Sequence, residues 1–245
     1  MVKSLIDNLS IEADKKIGFL QIWFYRPVSI FISNQLIKNF NFINPNHLTL
    51  IGLAIGMTSF IIMIIAKDYS ILLFSVILWN ISKLFDFIDG NLARYYKKKT
   101  YLGKFLDGYV DLLNSIFLII GIGMYLGNLY IILALITSLM MSLSNMITFR
   151  FYSFLDQIKK NKNKLHKKKI KNNKIKINIS FLIKQIIKYI DYCISNLSMP
   201  SLFLVIFIDH LSLWFIVYSF CILVSSILII IARIYISFTS LNVLR

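Results

Sequence analysis

From Leu112 to Phe149 the chain runs for 38 residues without a charged side chain. A helix rises about 1.5 Å per residue and bilayer hydrocarbon is about 30 Å thick, so one straight helix of that length overshoots the membrane nearly twofold. The run is therefore expected to cross twice, with Gly127-Asn128 near its middle supplying the turn. Leu48 to Ala66, Tyr192 to Ile208 and Leu211 to Ala232 are further uncharged runs of spanning length. Tyr69 to Ala93 adds a crossing interrupted by Lys83, Asp86 and Asp89, which makes six. With 58% hydrophobic residues over 245 positions and a mean hydropathy of +0.72, water-soluble folds are excluded. The expected architecture is an all-α integral membrane protein of six transmembrane helices.

Lysine and arginine placement orients the spans. Five fall before Asn46, five between Arg94 and Lys104, thirteen between Arg150 and Lys188, with Arg233 and Arg245 at the end. The alternate loops hold Lys67 with Asp68, then Gly127-Asn128, then Asp209-His210. Both termini and the basic loops on the cytoplasmic side of a cytoplasmic (inner) membrane satisfy the positive-inside rule without exception. The net charge of +16 is then read as topology and attraction to anionic lipid headgroups, and no nucleic-acid motif accompanies it. The lysine-rich stretch Asp156 to Lys176 is low-complexity and receives no catalytic role.

No cleavable signal peptide is visible, since acids and bases precede any apolar stretch. Ile17 to Phe40 mixes aromatic and aliphatic residues with Arg26, Gln35 and Lys38, and Pro27 interrupts it. It reads as an amphipathic helix in the membrane interface, with Trp23 and Tyr25 at headgroup depth. The chain thus divides into an N-terminal segment over 1–44, a six-helix domain over 45–238 containing a basic loop at about 153–178, and a tail over 239–245. Cys193 and Cys221 suit packing, with neither a disulfide framework nor a metal spacing. His47, His166 and His210 are scattered and receive no role.

Between Asp86 and Asp111 the chain reads D-F-I-D-G-N-L-A-R, eight residues, then G-K-F-L-D-G-Y-V-D. One aspartate at the centre of a membrane helix costs roughly 2.5 to 3.5 kcal/mol on insertion scales, so four together call for a compensating cation. Asp86 and Asp89 are three apart, and Asp107 and Asp111 four apart, so each pair lies on one helix face. Two such faces meeting enclose a four-carboxylate site. Hard oxygen ligands without Cys or His select Mg²⁺ or Mn²⁺, and four carboxylates neutralise two divalent ions, the kind of pair that clamps a phosphoryl centre. Gly90 and Gly103 let backbone approach a ligand, Arg94 offers a planar fork of donors to phosphate, and Thr100 adds a hydroxyl. A pyrophosphate-bearing nucleotide suits such a site. Lys83, one turn before Asp86, is expected to pair with the acids, with snorkelling as the alternative.

The run D-x-x-D-G-x-x-A-R-x8-G-x-x-x-D-x-x-x-D resembles the signature of the CDP-alcohol phosphotransferase (phosphatidyltransferase) family. It is matched at Asp86, Asp89, Gly90, Ala93, Arg94, Gly103, Asp107 and Asp111. Pro45-Asn46 followed by Thr49 is similar to the family's P-N-x-x-T opening, and Arg26-Pro27-Val28-Ser29 to its lead-in in many bacterial members. Six spans, cytoplasmic termini and an interfacial N-terminal helix also agree with the bacterial and archaeal type.

The resemblance implies transfer of a substituted phosphate from a CDP-linked alcohol to a hydroxyl, with CMP leaving, in phospholipid synthesis. It implies that Asp86, Asp89 and Asp107 hold two divalent metals, while Asp111 contacts one and acts as general base. Gly90, Ala93, Arg94, Thr100 and Gly103 correspond to the cytidine diphosphate site, with Asn46 and Thr49 completing it. A lipid-linked donor, CDP-diacylglycerol, and a small polar alcohol or alcohol-phosphate acceptor are favoured, and a homodimer among membrane lipids is implied. Two other donor classes stay open, CDP-choline or CDP-ethanolamine and a CDP-polyol. A cation channel or transporter would leave the spacing of Gly90, Ala93, Arg94 and Gly103 without explanation. A phosphorylated acceptor needs further cations, for which Arg150 is the first candidate and Lys104, Arg26 and Arg233 follow.

Overall fold

A computed structural model describes residues 19–40, 42–97, 100–165 and 210–242. Among them the protein is all helical: α1 (Phe19–Asn39), α2 (Pro45–Ile65), α3 (Tyr69–Tyr95), α4 (Tyr101–Leu126), α5 (Asn128–Leu165) and α6 (Leu211–Asn242). Five segments are long and apolar enough to span a membrane: Pro45–Ile65, Tyr69–Tyr95, Tyr101–Leu126, Asn128–Phe151 and Leu211–Tyr235. The expected crossing from Tyr192 to Ile208 lies outside the described residues, as does the basic loop beyond Leu165; the first half of that expected loop, 153–165, instead continues helix α5. The chain forms two compact units, 1–138 with 192–219, and 139–191 with 220–245. The carboxylates belong to the first.

Local chemistry explains where the helices begin and end. Asn44 caps α2, its side chain accepting from the Asn46 N–H, and Pro45 follows at the position where a missing N–H costs nothing. Thr100 caps α4 by accepting from the Gly103 N–H at 2.9 Å. Gly127 ends α4 at φ +103°, a conformation glycine adopts without strain, so the long uncharged run does break at the expected turn.

Within the first unit, α2 packs against both α3 and α4. Its buried face carries Gly52, Gly56, Ser59 and Met63 at spacings of four, three and four, the small-residue pattern that brings membrane helices close. The approach is tight: a Cβ on Gly52 would lie 3.1 Å from that of Phe85, and one on Gly56 would lie 2.0 Å from Asn114 Oδ1. Polar groups sealed between the helices find partners there. Ser82 donates to the Gly52 carbonyl at 2.6 Å, Asn114 Nδ2 to Ser82 Oγ at 2.9 Å, and Trp79 Nε1 to the Asn114 carbonyl at 2.8 Å. In hydrocarbon these groups have no water to turn to, so the bonds fix the rotation of each helix about its axis.

Helix α1 departs from expectation in two ways. Pro27 does not interrupt it; the helix runs through, with Pro27 and Trp23 both on its exposed face. The carbonyl that Pro27 leaves without an amide partner is that of Trp23, on the outside. Nor does Tyr25 share the exposure of Trp23. Trp23 is 77% exposed, whereas Tyr25 is 2% exposed and donates its hydroxyl to Asn80 Oδ1 on α3. Its ring also stacks on Phe87. Further along, Asn91 Nδ2 donates to Ser29 Oγ and Ser33 Oγ at 3.3 and 3.4 Å. Tethers at both ends hold α1 to α3, and this tertiary anchoring overrides the break that a proline suggests. Leu48, Ile88 and Leu92 form the apolar seam between α2 and α3, covered by Ile32, Leu36 and Ile37 of α1.

In the second unit, the Arg233 guanidinium lies 4.9 Å from the centre of the Phe151 ring, a cation–π contact.

Candidate active site

Helices α3 and α4 run antiparallel through the short connection after Tyr95, so residues one turn apart on one meet residues one turn apart on the other. Asp86 and Asp89 project from α3 toward Asp107 on α4, and one oxygen from each lies within 4.8 Å of the other two. Asp89 is buried and Asp107 exposed, so the cluster reaches from the protein interior to its surface. Asp111, one turn beyond Asp107, adjoins this trio and has a partner of its own. Its Oδ1 accepts from Lys83 Nζ at 2.5 Å. The pairing expected for Lys83 is thus present, directed at the fourth carboxylate.

Three crowded carboxylates repel one another, and burial adds a desolvation cost. The Oδ1 atom of Asp86 is buried with no hydrogen-bond partner among the described residues. A buried, unpartnered oxygen on a carboxylate clustered with two others fits a hard divalent cation nearby and is expensive without one. Asp89 is partly compensated, since Thr49 donates its hydroxyl to Asp89 Oδ2. The donor set is entirely oxygen, the kind that Mg²⁺, Ca²⁺ and Mn²⁺ prefer. Asp86, Asp89 and Asp107 therefore fit a divalent metal as its ligands.

Beside the trio opens a cleft of about 470 Å³. Asp89 and Asp107 form one wall, and Asn46 with Thr49 from the first turns of α2 form another. Gly90, Ala93 and Arg94 line it from α3, and Thr100, Gly103 and Lys104 from the start of α4. Every residue expected to contact the nucleotide from its position in the sequence pattern is therefore gathered around one space. Glycines keep that space open: a Cβ on Gly103 would sit 3.0 Å from both Asn46 Oδ1 and Thr100 Oγ1, and one on Gly90 3.4 Å from the Arg94 guanidinium. With Arg94 and Lys104 lining it together with Asp89 and Asp107, the cleft suits a polyanion bridged to the acids by cations.

Three contributions were not legible beforehand. Asn91 accepts from Arg94 Nη2 at 2.8 Å while donating to Ser29 and Ser33, so α1 supports the arginine of the cleft. The i, i+3 spacing of Asn91 and Arg94 on one helix face was the available signal. Tyr101 also lines the cleft. Thr49 has a double task, donating to the Pro45 carbonyl at 3.2 Å as well as to Asp89. Of the cations considered for an acceptor, Lys104 lies at the cleft, Arg26 is buried on α1, and Arg150 and Arg233 belong to the second unit.

No curated protein matches this chain. The family model described as CDP-alcohol phosphatidyltransferase matches residues 42–195, more than half of the sequence and the whole of the carboxylate site and its cleft. By that match, the chain belongs to the CDP-alcohol phosphatidyltransferase family.

Proposed function

We propose that the protein transfers the phosphatidyl group of CDP-diacylglycerol to the hydroxyl of a small polar alcohol or alcohol phosphate, releasing CMP, at the cytoplasmic face of the membrane. Membership of the family means transfer of a phosphate group from a CDP-alcohol to an acceptor, with divalent metal ions. The observation that carries the finer reading is the cleft, which Arg94, Lys104, Asp89 and Asp107 line together and where Gly90 and Gly103 keep space open. A diphosphate matches that distribution of charge. The exposed apolar side chains Tyr101, Leu102 and Phe105 at the start of α4 suit a donor whose tails remain in lipid.

Asp86, Asp89 and Asp107 would hold divalent cations, Mg²⁺ or Mn²⁺, with Asp111 completing the set for a second ion. When bound, such ions draw charge from the phosphoryl oxygens and stabilise CMP as a leaving group. The protein's own groups do the rest. Arg94, Lys104 and Thr100 grip the diphosphate, and Asn46 with Thr49 closes the cleft on the nucleotide side. The acceptor oxygen forms a bond to the lipid-bearing phosphorus as the bond from that phosphorus to the bridging oxygen breaks, and CMP takes the electron pair. The acceptor proton passes to Asp111, whose Oδ2 is the oxygen not engaged by Lys83. Direct displacement needs no enzyme nucleophile, and the hydroxyl and amine beside the carboxylates, those of Thr49 and Lys83, are engaged with Asp89 and Asp111.

The test is CMP release by purified protein in mixed micelles with CDP-diacylglycerol, a divalent cation and a panel of glycerol phosphate, inositol phosphate, inositol and serine. Acceptor-dependent CMP supports the reading. Release with CDP-choline or a CDP-polyol instead replaces the donor, and release with none refutes it.

A further inference from the structure

Lys83 and Asp111 are unequal partners. The lysine side chain is 8% exposed and the aspartate 45%. A sealed ammonium deep in a membrane helix requires a counter-ion, whereas a half-exposed carboxylate has solvent to draw on. The positive charge is thus the fixed element of the pair. It is fixed beside the metal-binding trio: Lys83 lies one turn before Asp86 on α3, and Asp111 one turn beyond Asp107 on α4. The two helices form a ladder in which the Lys83–Asp111 rung adjoins the Asp86–Asp107 rung. Trp79 closes the far side, its ring centre 6.0 Å from the ammonium.

We propose that Lys83 is a resident cation of the carboxylate site, which competes with the second divalent ion for Asp111. The proposal rests on the reading above that the four aspartates take two divalent ions. The ammonium holds a lone pair of Asp111 Oδ1 and weakens that carboxylate as a donor to metal, and its unit positive charge beside the site opposes a second dication. The ion held by Asp86, Asp89 and Asp107 binds tightly, and the one that draws on Asp111 binds weakly. Four carboxylates, one ammonium and two dications leave a surplus positive charge, which the diphosphate of the donor offsets. The weaker ion is accordingly retained best when a diphosphate is present.

Binding of Mn²⁺ to the purified protein in detergent micelles, followed by the electron spin resonance of the free ion, tests this without turnover. The wild-type protein is expected to bind two ions with affinities differing by about tenfold or more. Lys83→Met tightens the weaker one by about tenfold and changes the tighter one by less than about threefold. Lys83→Gln, which keeps a polar head in the same space, does the same in smaller measure and serves if the methionine variant fails to fold. A merely structural lysine predicts the reverse, with both affinities unchanged or weakened. Two equally tight ions in the wild type, or no tightening in either variant, overturn the proposal while leaving the two-ion reading intact. Absence of any Mn²⁺ binding by wild-type protein overturns both.

Discussion

Thr49 on α2 donates its hydroxyl to Oδ2 of the buried Asp89 on α3. Forty residues separate the two, and the bond joins the opening of the first span to the carboxylate trio. A threonine expected only to face a nucleotide therefore also orients a carboxylate of the proposed metal site. Groups that orient ligands in this way typically govern metal affinity or activity by about 10- to 100-fold.

Thr49→Val keeps the shape of the side chain and removes the donor. It is expected to lower Mn²⁺ affinity and turnover by about 10- to 100-fold, while Thr49→Ser retains most of both. Titration of Mn²⁺ against bound fraction and CMP release checks the pair.

Asp86→Asn should weaken Mn²⁺ binding by more than about 100-fold, because it replaces the buried Oδ1 that has no hydrogen-bond partner in the site. A metal that binds only the folded state stabilises it by about 2.7 kcal/mol at one hundred times its dissociation constant. Wild-type protein should therefore melt several degrees higher with Mn²⁺ than with chelator, and the asparagine variant should show no such gain.

Asn91 supports Arg94 from one side and is held by Ser29 and Ser33 from the other. Asn91→Leu removes the acceptor and should raise the donor KM by about tenfold with a smaller effect on kcat, the scale of one hydrogen bond to a charged group. The Ser29→Ala, Ser33→Ala pair should give a shift in the same direction but smaller, since its bonds are long.

Much of this site is legible in the sequence because its parts are local. Asp86 and Asp89, or Asp107 and Asp111, share a face by helical period alone, and the cleft residues come from the end of α3 and from the starts of two helices marked by Pro45 and Thr100. The turn at Gly127 follows from the length of an uncharged run. What escaped the sequence depends on partners far along the chain. Tyr25 is buried because Asn80 awaits it 55 residues away, and those tethers carry α1 past Pro27. Lys83 lay near four acids by spacing; that it chose Asp111 depends on how α3 meets α4. The division of labour among the aspartates, three clustered and one paired, is a consequence of that meeting.

Close helix approach carries its own prediction. Gly56→Ala places a methyl 2.0 Å from Asn114 Oδ1, against a side chain already bonded to Ser82, and should destabilise the protein by about 1 to 3 kcal/mol. Gly108→Ala on α4 meets nothing within 4 Å and should be neutral or mildly stabilising. Thermal denaturation in micelles without metal compares the two.

The most direct measurement of the central claim is acceptor-dependent CMP release from CDP-diacylglycerol by wild-type protein and by Asp111→Asn. The account predicts CMP from the wild type with at least one polar alcohol or alcohol phosphate. It predicts none above the no-acceptor blank from the variant, which still binds the donor and Mn²⁺. Turnover by Asp111→Asn at the wild-type rate would contradict the assignment of the base, and wild-type protein that releases no CMP with any acceptor would contradict the phosphatidyl transfer itself.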